Sequence, residues 1–308
     1  MKFKFNPERE EEIKEQILKR VVFSGSFEDT PENRIVNIPD GIEEIAENAF
    51  RNFSCLEEIN FPSTLKKVSA SAFSECKNLR AVRMNSGLSE ILDEAFAFCP
   101  SLTEAIIPDS VKRIGGGAFE GCAALSKLKL PEECEMIGAG AFAFCFNLKH
   151  VEIPDSVILV EFNAFASCFS LEGVKLSSNM GLIDESTFEG CRSLVSVDLP
   201  PRLVKIGRRA FSGCSSLREL ILPISLREIG FDAFASCTSL LRLAIPKDLR
   251  EIEDEDAFSG CDSLTEITFA GSREGWEALC RGKALNIQRS DLTYSVPKIT
   301  FLDLKNEI

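Results

Sequence analysis

Residues 107–125 read IPDSVKRIGGGAFEGCAAL, and variants of this stretch follow one another along most of the chain. Each copy contains the phenylalanine of an Ala-Phe or Thr-Phe pair. Cysteine stands three residues after this phenylalanine in nine copies, and leucine stands six residues after it in all ten. A fixed period of this kind indicates a solenoid of stacked coils. The phenylalanine recurs every 23 residues, with one step of 24 before the last copy, at Phe50, Phe73, Phe96, Phe119, Phe142, Phe165, Phe188, Phe211, Phe234 and Phe258.

The residues after each repeat leucine predict one strand and one return segment per coil. Apolar residues follow Leu148 at Val151 and Ile153, and this alternation is typical of a short strand. A proline, here Pro154, then ends the strand. A second apolar pair predicts the return segment, with glycine allowing a sharp turn at Gly115, Gly138, Gly207 and Gly230.

Stacking is needed because one coil cannot bury its own apolar side chains. Parallel strands about 4.8 Å apart would place equivalent Phe, Cys and Leu residues above one another, and ten coils would extend about 48 Å. The predicted fold is an α/β-type repeat solenoid, mostly β with short irregular or 3-10 segments. We expect a single right-handed, curved superhelix with a parallel sheet on its concave face and capped ends.

Across residues 35–270 the repeat closely resembles the BspA-like, or Treponema-type, leucine-rich repeat, and the stretch quoted above shows the resemblance. Ten copies in register make the resemblance specific for the fold. It implies a bacterial surface or secreted protein that adheres to host proteins or to other cells. It identifies no partner, because the shared residues are the buried ones.

The open ends of a solenoid need caps, so we predict three parts: an N-terminal cap at 1–34, ten repeats at 35–270 and a C-terminal cap at 271–308. In the first cap, Asn6 and Pro7 can begin a helix. Its apolar side chains recur at helical spacing and are expected to cover the first coil: Ile13, Ile17, Leu18 and Val21.

The predicted C-terminal cap contains a short helix and two strands. Ser272 can cap the helix, which carries Trp276, Leu279 and Cys280 and is expected to cover the last coil. The second strand begins at Ile299 and Phe301. The first strand is indicated by alternation at Leu292, Tyr294 and Val296.

Charge and hydropathy exclude some partners and leave the compartment open. The 308 residues carry a net charge of −13, which repels phosphate backbones and disfavours nucleic acid and anionic membranes. No apolar run approaches the roughly 18 residues of a membrane span. The first residues lack the apolar stretch of a secretory signal, and this favours the cytoplasm, whereas the family resemblance implies secretion or the cell surface. We expect a monomer.

The twelve cysteines are expected to be free thiols rather than disulfides or metal ligands. Nine lie on the repeat, where stacked side chains point the same way, and Cys134 takes a core leucine position. Cys55 and Cys280 fall outside the pattern. Many buried thiols favour a reducing compartment. The repeat is also expected to explain the excess of phenylalanine, 24 against one Trp and one Tyr.

Catalytic chemistry, a cofactor and a metal are not expected. A nucleophilic triad would have to use the single histidine, His150, which we place on a strand as an ordinary surface residue or a partner contact. The triple glycine at 115–117 belongs to the repeat turn and is no phosphate loop. The acidic run at 251–256 is expected to form a solvated bulged loop, with a calcium site as the alternative.

A partner would meet the outward strand residues, two and four positions after each repeat leucine. This strip varies from coil to coil, and its middle is basic, which suits an acidic peptide or a glycan unless the charges are merely scattered. The strip lacks Trp and Tyr, so a small, tight site is not expected. The partner-binding residues predicted on the concave face are Arg83, Glu104, Ile106, Lys127, Lys129, His150, Glu152, Lys175, Asp198, Ile221 and Arg242.

The functional prediction is therefore a non-catalytic protein-binding leucine-rich-repeat module, adhesin-like and on the bacterial surface or secreted. Two alternatives stay open: an intracellular scaffold or regulatory subunit, and a glycan-binding protein. Ile106 and Ile221 are candidate anchors for a partner, although single exposed apolar residues are common on any protein.

Overall fold

A computed structural model describes residues 22–23, 28–280 and 297–302. In it the chain winds into coils, each with a longer strand, a shorter strand and a turn segment. Successive longer strands lie side by side and parallel, in a register of 23 residues that places Glu104 beside Lys127. This long-strand ladder consists of Ile35–Asn37, Glu58–Asn60, Ala81–Arg83, Glu104–Ile106, Lys127–Lys129, His150–Glu152, Gly173–Lys175, Ser196–Asp198, Glu219–Ile221, Arg242–Ile245, Glu266–Phe269 and Lys298–Phe301.

The predicted return segment contains a second parallel ladder, which the repeat pattern alone did not indicate. Its strands have only two residues each, and they form one sheet of seven strands and one of four. The long-strand ladder is divided into sheets of three, two, three and four strands. The short-strand ladder consists of Val22–Phe23, Glu44–Ile45, Lys67–Val68, Glu90–Ile91, Arg113–Ile114, Met136–Ile137, Leu159–Val160, Leu182–Ile183, Lys205–Ile206, Glu228–Ile229 and Glu251–Ile252.

The turn segment surrounds each repeat phenylalanine and is as regular as the strands. The residue two positions after that phenylalanine has a φ between 55° and 74° in all ten coils. The backbone N–H of each repeat phenylalanine from Phe50 to Phe234 donates to a carbonyl of the next coil, as from Phe142 to Ala164 at 2.8 Å. Hydrogen bonds therefore also connect neighbouring coils along the turn segments, although these contain no strands.

The interior confirms the predicted columns. All ten repeat phenylalanines are fully buried, and consecutive rings stack with centroids 5.0–5.7 Å apart and planes within 15° of parallel. This offset stacking is favourable for aromatic rings, in addition to the burial of their area. Phe23 extends the column by one ring, 5.1 Å from Phe50. The solenoid therefore has one continuous apolar interior.

The cysteine column has a chemical role that the repeat pattern did not reveal. Each repeat thiol donates a hydrogen bond to the backbone carbonyl of the phenylalanine one coil earlier, at 3.0–3.3 Å, as Cys145 does to Phe119. Burial raises the pKa of the Cys122 and Cys168 thiols to about 12. Cysteine thus supplies a small apolar side chain and also a donor for a buried carbonyl.

The repeat glycines serve close packing rather than the sharp turn that the sequence predicts. Gly115, Gly138, Gly207 and Gly230 all lie outside the positive-φ region. A Cβ at any of the four would approach the backbone of the preceding coil to less than 3.0 Å. Only a residue without a side chain lets adjacent coils come this close.

The ends of the described chain cover the interior. Asp29, just before a 3-10 helix at Pro31–Asn33, accepts hydrogen bonds from the backbone of Ser54 and Cys55 at 2.8 and 2.7 Å. At the other end a helix, Arg273–Cys280, confirms the predicted short helix. Its Trp276 ring packs edge-on against Phe269 at 5.5 Å, which covers the last long strands.

Two cap predictions lie outside the described residues: the helix beginning at Asn6, and the strand containing Tyr294. The strand at Lys298–Phe301 contains the predicted Ile299 and Phe301, and it pairs in parallel with Glu266–Phe269. The division into caps at 1–34 and 271–308 stays a prediction.

Candidate functional site

The outward side chains of the long-strand ladder form the strand face, which carries all eleven of the predicted partner-binding residues. Ten of them are exposed, and Glu104 is half-buried. Their inward neighbours in the same strands, such as Val151 and Leu243, are buried. Ile106 and Ile221 are 40% and 75% exposed. The alternation of the strands thus displays these residues to solvent, while their role in binding stays a prediction.

The middle of the strand face is a mixture of charges rather than a purely basic patch. Lys127 is ion-paired with Glu104 at 3.3 Å, and Lys129 with Asp109 at 3.8 Å. Lys175 lies in register between Glu152 and Asp198, beside them on the neighbouring strands. Each of the three lysines therefore has a carboxylate close by, which weakens the positive field that the sequence pattern suggested.

The rest of the strip shows the same pairing across coils. Arg242 is ion-paired with Glu219 on one side and with Glu266, at 3.5 Å, on the other. Arg83 lies 3.6 Å from Glu58. The charged side chains of the strip therefore largely pair with one another. Exposed pairs of this kind contribute about 0–1 kcal/mol each, so they add little to stability.

The other predicted features, His150 and the acidic run, show no metal-binding arrangement in the part of the chain that the structure describes. His150 is exposed on the strand face, next to Gly173 of the neighbouring strand. In the acidic run, Glu253 is ion-paired with Lys205 at 3.1 Å, and burial beside Asp232 and Asp256 raises the pKa of Asp254. No group of three or more His, Cys, Asp or Glu side chains among these residues is arranged to hold a metal ion.

A second surface, which the sequence reasoning missed, lies on the turn face. We define the turn face as the outward residues from three before to four after each repeat phenylalanine. It carries solvent-exposed rings at Phe98, Phe144, Phe146, Phe162 and Phe231, which are 36–51% exposed. The repeat accounts for only ten of the 24 phenylalanines, so attributing the whole excess to it was wrong.

The exposed rings interact with one another along the solenoid axis. Phe146 stacks on Phe169 of the next coil, with centroids 4.8 Å apart. Arg192, one coil further, places its guanidinium 4.5 Å from the centre of the Phe169 ring, a cation–π contact. Phe144 meets Phe146 edge-on at 6.3 Å. These contacts hold the rings in an ordered row while one face of the row stays open to solvent.

Phe98 and Phe144 occupy a backbone position that disfavours bulky side chains. Their φ angles are 55° and 60°, in the left-handed region, and the equivalent residue is glycine in four other coils. A non-glycine residue there costs roughly 1–2 kcal/mol. A large, exposed ring at a position that disfavours it directs attention to the surface around these side chains.

A groove runs along the turn face beside this row, with a volume of about 660 Å³. Its floor consists of small residues, including Ala143, Ala166 and Gly213, and aromatic rings at Phe144, Phe162 and Phe169 border it. The sequence signal that could have found it is the set of phenylalanines that break the repeat between 98 and 169.

The comparisons with known proteins agree with this architecture. A family model described as a BspA type leucine rich repeat region (6 copies) matches residues 20–149, 89–203 and 158–280. No curated protein matches the sequence significantly. Within the described residues, no helix has the length and apolar character needed to cross a membrane.

Several solved structures are similar to this chain. The pneumococcal vaccine antigen PcpA is 24% identical, with 82% of this chain and 75% of that chain covered and a TM-score of 0.57. A leucine rich cell surface protein from Faecalibacterium prausnitzii is 27% identical, with coverage of 80% and 81% and a TM-score of 0.45. The T. pallidum leucine rich repeat protein is 28% identical, with coverage of 60% and 78% and a TM-score of 0.45. With its columns of Phe, Cys and Leu and a family model that covers most of its length, this chain belongs to the BspA-type leucine-rich-repeat family.

Proposed function

We propose that this chain is a non-catalytic module that binds other proteins, as the adhesin-like part of a bacterial surface or secreted protein. The observation that carries the proposal is the contrast between an interior that is nearly the same in every coil and a strand face that changes from coil to coil. Leucine-rich-repeat solenoids generally use such rigid, extended faces for protein interaction. The surface location follows from the family resemblance.

The alternative of an intracellular scaffold rested partly on the number of free thiols. Nine of the twelve cysteines stand in the buried column, and Cys134 is also buried. A thiol that solvent does not reach is protected from oxidation in either compartment. The cysteine count therefore favours neither location, and the family resemblance supports the proposed location at the cell surface.

Site-specific photo-crosslinking tests the proposal. A benzophenone side chain would replace His150 or Ile221 on the strand face, and Ile158, 67% exposed but outside that face, would serve as the matched control. We expect both strand-face probes to capture the same protein from surface extracts of bacteria or host cells, with the Ile158 probe giving none of it. Equal capture at Ile158, or no capture at either strand-face position, would refute the proposal.

Antibody labelling of intact cells separates the two locations. Labelling without permeabilisation is expected for a surface protein, whereas labelling only after permeabilisation would favour the intracellular scaffold.

A further inference from the structure

We infer that the groove on the turn face is a second recognition site, which binds an extended peptide with apolar and basic side chains. The inference goes beyond the proposed function, because the groove lies on a different face from the strand-face strip. It depends on the shape of the groove, on its exposed rings and on its unpaired carboxylates.

The shape suits an extended chain. The groove reaches from Glu120 to Ser236, residues separated by five coil steps, or about 24 Å at about 4.8 Å per step. An extended peptide rises about 3.3 Å per residue, so the groove accommodates about seven residues. A Cβ added at Gly140, on the groove lining, would meet no atom within 4 Å, so the site is open to an incoming side chain.

The rings supply apolar contacts. Phe144 and Phe162 are 43% and 51% exposed, and both line the groove. Phenylalanine and arginine are enriched in the contact regions of protein interfaces, and here Arg192 already lies over the Phe169 ring at the groove wall. Phe144 is moreover held in the left-handed conformation that other coils give to glycine. An apolar peptide side chain that covers these rings would remove them from water.

The charges favour basic residues, because two of the three charged side chains on the groove lining are carboxylates and the third, Arg192, lies over the Phe169 ring. Glu120 and Glu189 line the groove, and neither carboxylate forms an ion pair with any residue that the structure describes. Burial, and the nearby Glu94, raise the pKa of Glu120. A lysine or arginine of the bound peptide would supply the opposite charge.

Recognition has to proceed through side chains. The backbone N–H groups of Phe144, Ser167 and Gly190 donate to carbonyls of the next coil at 2.6–2.8 Å, so they are not free to pair with a peptide backbone. Carboxylates without an ion-pair partner next to phenylalanine rings favour a basic, apolar peptide over a neutral glycan, because glycan hydroxyls can donate hydrogen bonds to the carboxylates but bring no opposite charge.

The test uses the whole chain as bait for a phage-displayed library of random heptapeptides. We expect enrichment of sequences that combine Lys or Arg with Phe, Leu or Ile. Synthetic copies of the enriched peptides would then be measured by fluorescence anisotropy. Phe144→Gly should weaken their binding at least 10-fold, and so should the double variant Glu120→Gln with Glu189→Gln.

Phe98→Gly is the matched control. Phe98 has the same left-handed backbone and a similar exposure, yet it does not line the groove. Its replacement should leave peptide binding unchanged. Circular dichroism should show that both glycine variants stay folded.

Three results would overturn the inference. The first is a library selection that gives no enrichment over a bait whose groove is filled by Ser212→Trp. The second is an equal loss of binding in the Phe98 and Phe144 variants. The third is that the chain binds an oligosaccharide array instead of peptides, and that Phe144→Gly abolishes this binding. That result would assign the groove to glycans. The variants in these assays lie on the turn face and the crosslinking probes lie on the strand face, so failure of the peptide assays leaves the crosslinking test of the proposed function unaffected.

Discussion

Phe142 and Phe144 stand two residues apart in the same turn segment and have opposite surroundings. The Phe142 ring is fully buried and stacks between rings of the adjacent coils at 5.4 Å on both sides. The Phe144 ring is 43% exposed and sits on a strained backbone. The repeat position, not the residue type, decides whether a phenylalanine stabilises the interior of this solenoid or faces solvent.

The same difference separates the whole interior from the two outer faces. Interior positions are set by stacking, so their side chains vary little, whereas the strand face and the turn face vary without loss of the fold. Substitutions should therefore fall into two groups, with large effects on stability inside and small effects outside.

The largest effect is expected for Phe142→Ala. It removes a fully buried ring and both of its stacking contacts, so the free energy of unfolding should fall by about 3–5 kcal/mol. Urea unfolding followed by circular dichroism measures the loss. Exposed sites usually change the free energy of unfolding by less than about 1 kcal/mol. A loss that small for Phe142→Ala would contradict the distinction between interior and surface phenylalanines.

Cys145→Ala should have an intermediate effect. The variant removes the thiol that donates to the Phe119 carbonyl at 3.3 Å, but that carbonyl keeps a second donor, the Cys122 N–H. We expect a loss of about 1–2 kcal/mol in the same urea assay. Cys55→Ala, at a partly exposed position outside the column, serves as the control and should change stability by less than about 0.5 kcal/mol.

Phe144→Gly should change the free energy of unfolding by less than about 1 kcal/mol. Relief of the left-handed backbone strain, roughly 1–2 kcal/mol, offsets the loss of the partly buried ring and the greater flexibility of glycine in the unfolded chain. The measurement is the urea midpoint beside that of Phe142→Ala. A loss as large as for Phe142→Ala would mean that the exposed ring also holds the coils together.

The smallest effect is expected for Lys127→Met on the strand face. The ion pair with Glu104 is exposed, so breaking it should shift stability by at most about 0.5 kcal/mol. The salt dependence of thermal unfolding, compared between variant and parent, checks this value. A larger shift would show that pairing across the strand face contributes to the fold.

Periodicity was enough to predict the fold, the buried columns and the outward strip. Each of these depends only on which residues repeat, and stacking then determines their neighbours. The second ladder was missed because two-residue strands leave no alternation to detect. The positive-φ positions were missed because only four coils have glycine two residues after the repeat phenylalanine. The other coils have residues such as Phe98 and Phe144 there, so no glycine repeat is visible in the sequence.

The charge pairing on the strand face was within reach of the sequence. Lys127 and Glu104 are 23 residues apart, as are Arg242 and Glu219, so the register places each pair side by side. The prediction of a basic patch considered the lysines alone and left out the acidic residues 23 positions away. The phenylalanines that break the repeat mark the side on which the groove lies, but its shape needs coordinates, because it forms from residues of several coils on a side without strands.

Alkylation of native thiols tests most directly whether the coils share one closed interior. At about pH 8, iodoacetamide modifies accessible thiolates, and burial raises the pKa of Cys122 and Cys168 to about 12. Mass spectrometry should find the partly exposed Cys55 and Cys280 modified first, with the nine column cysteines modified only after urea unfolding. Modification of a column cysteine such as Cys145 at the rate of Cys55 under native conditions would contradict the continuous stack.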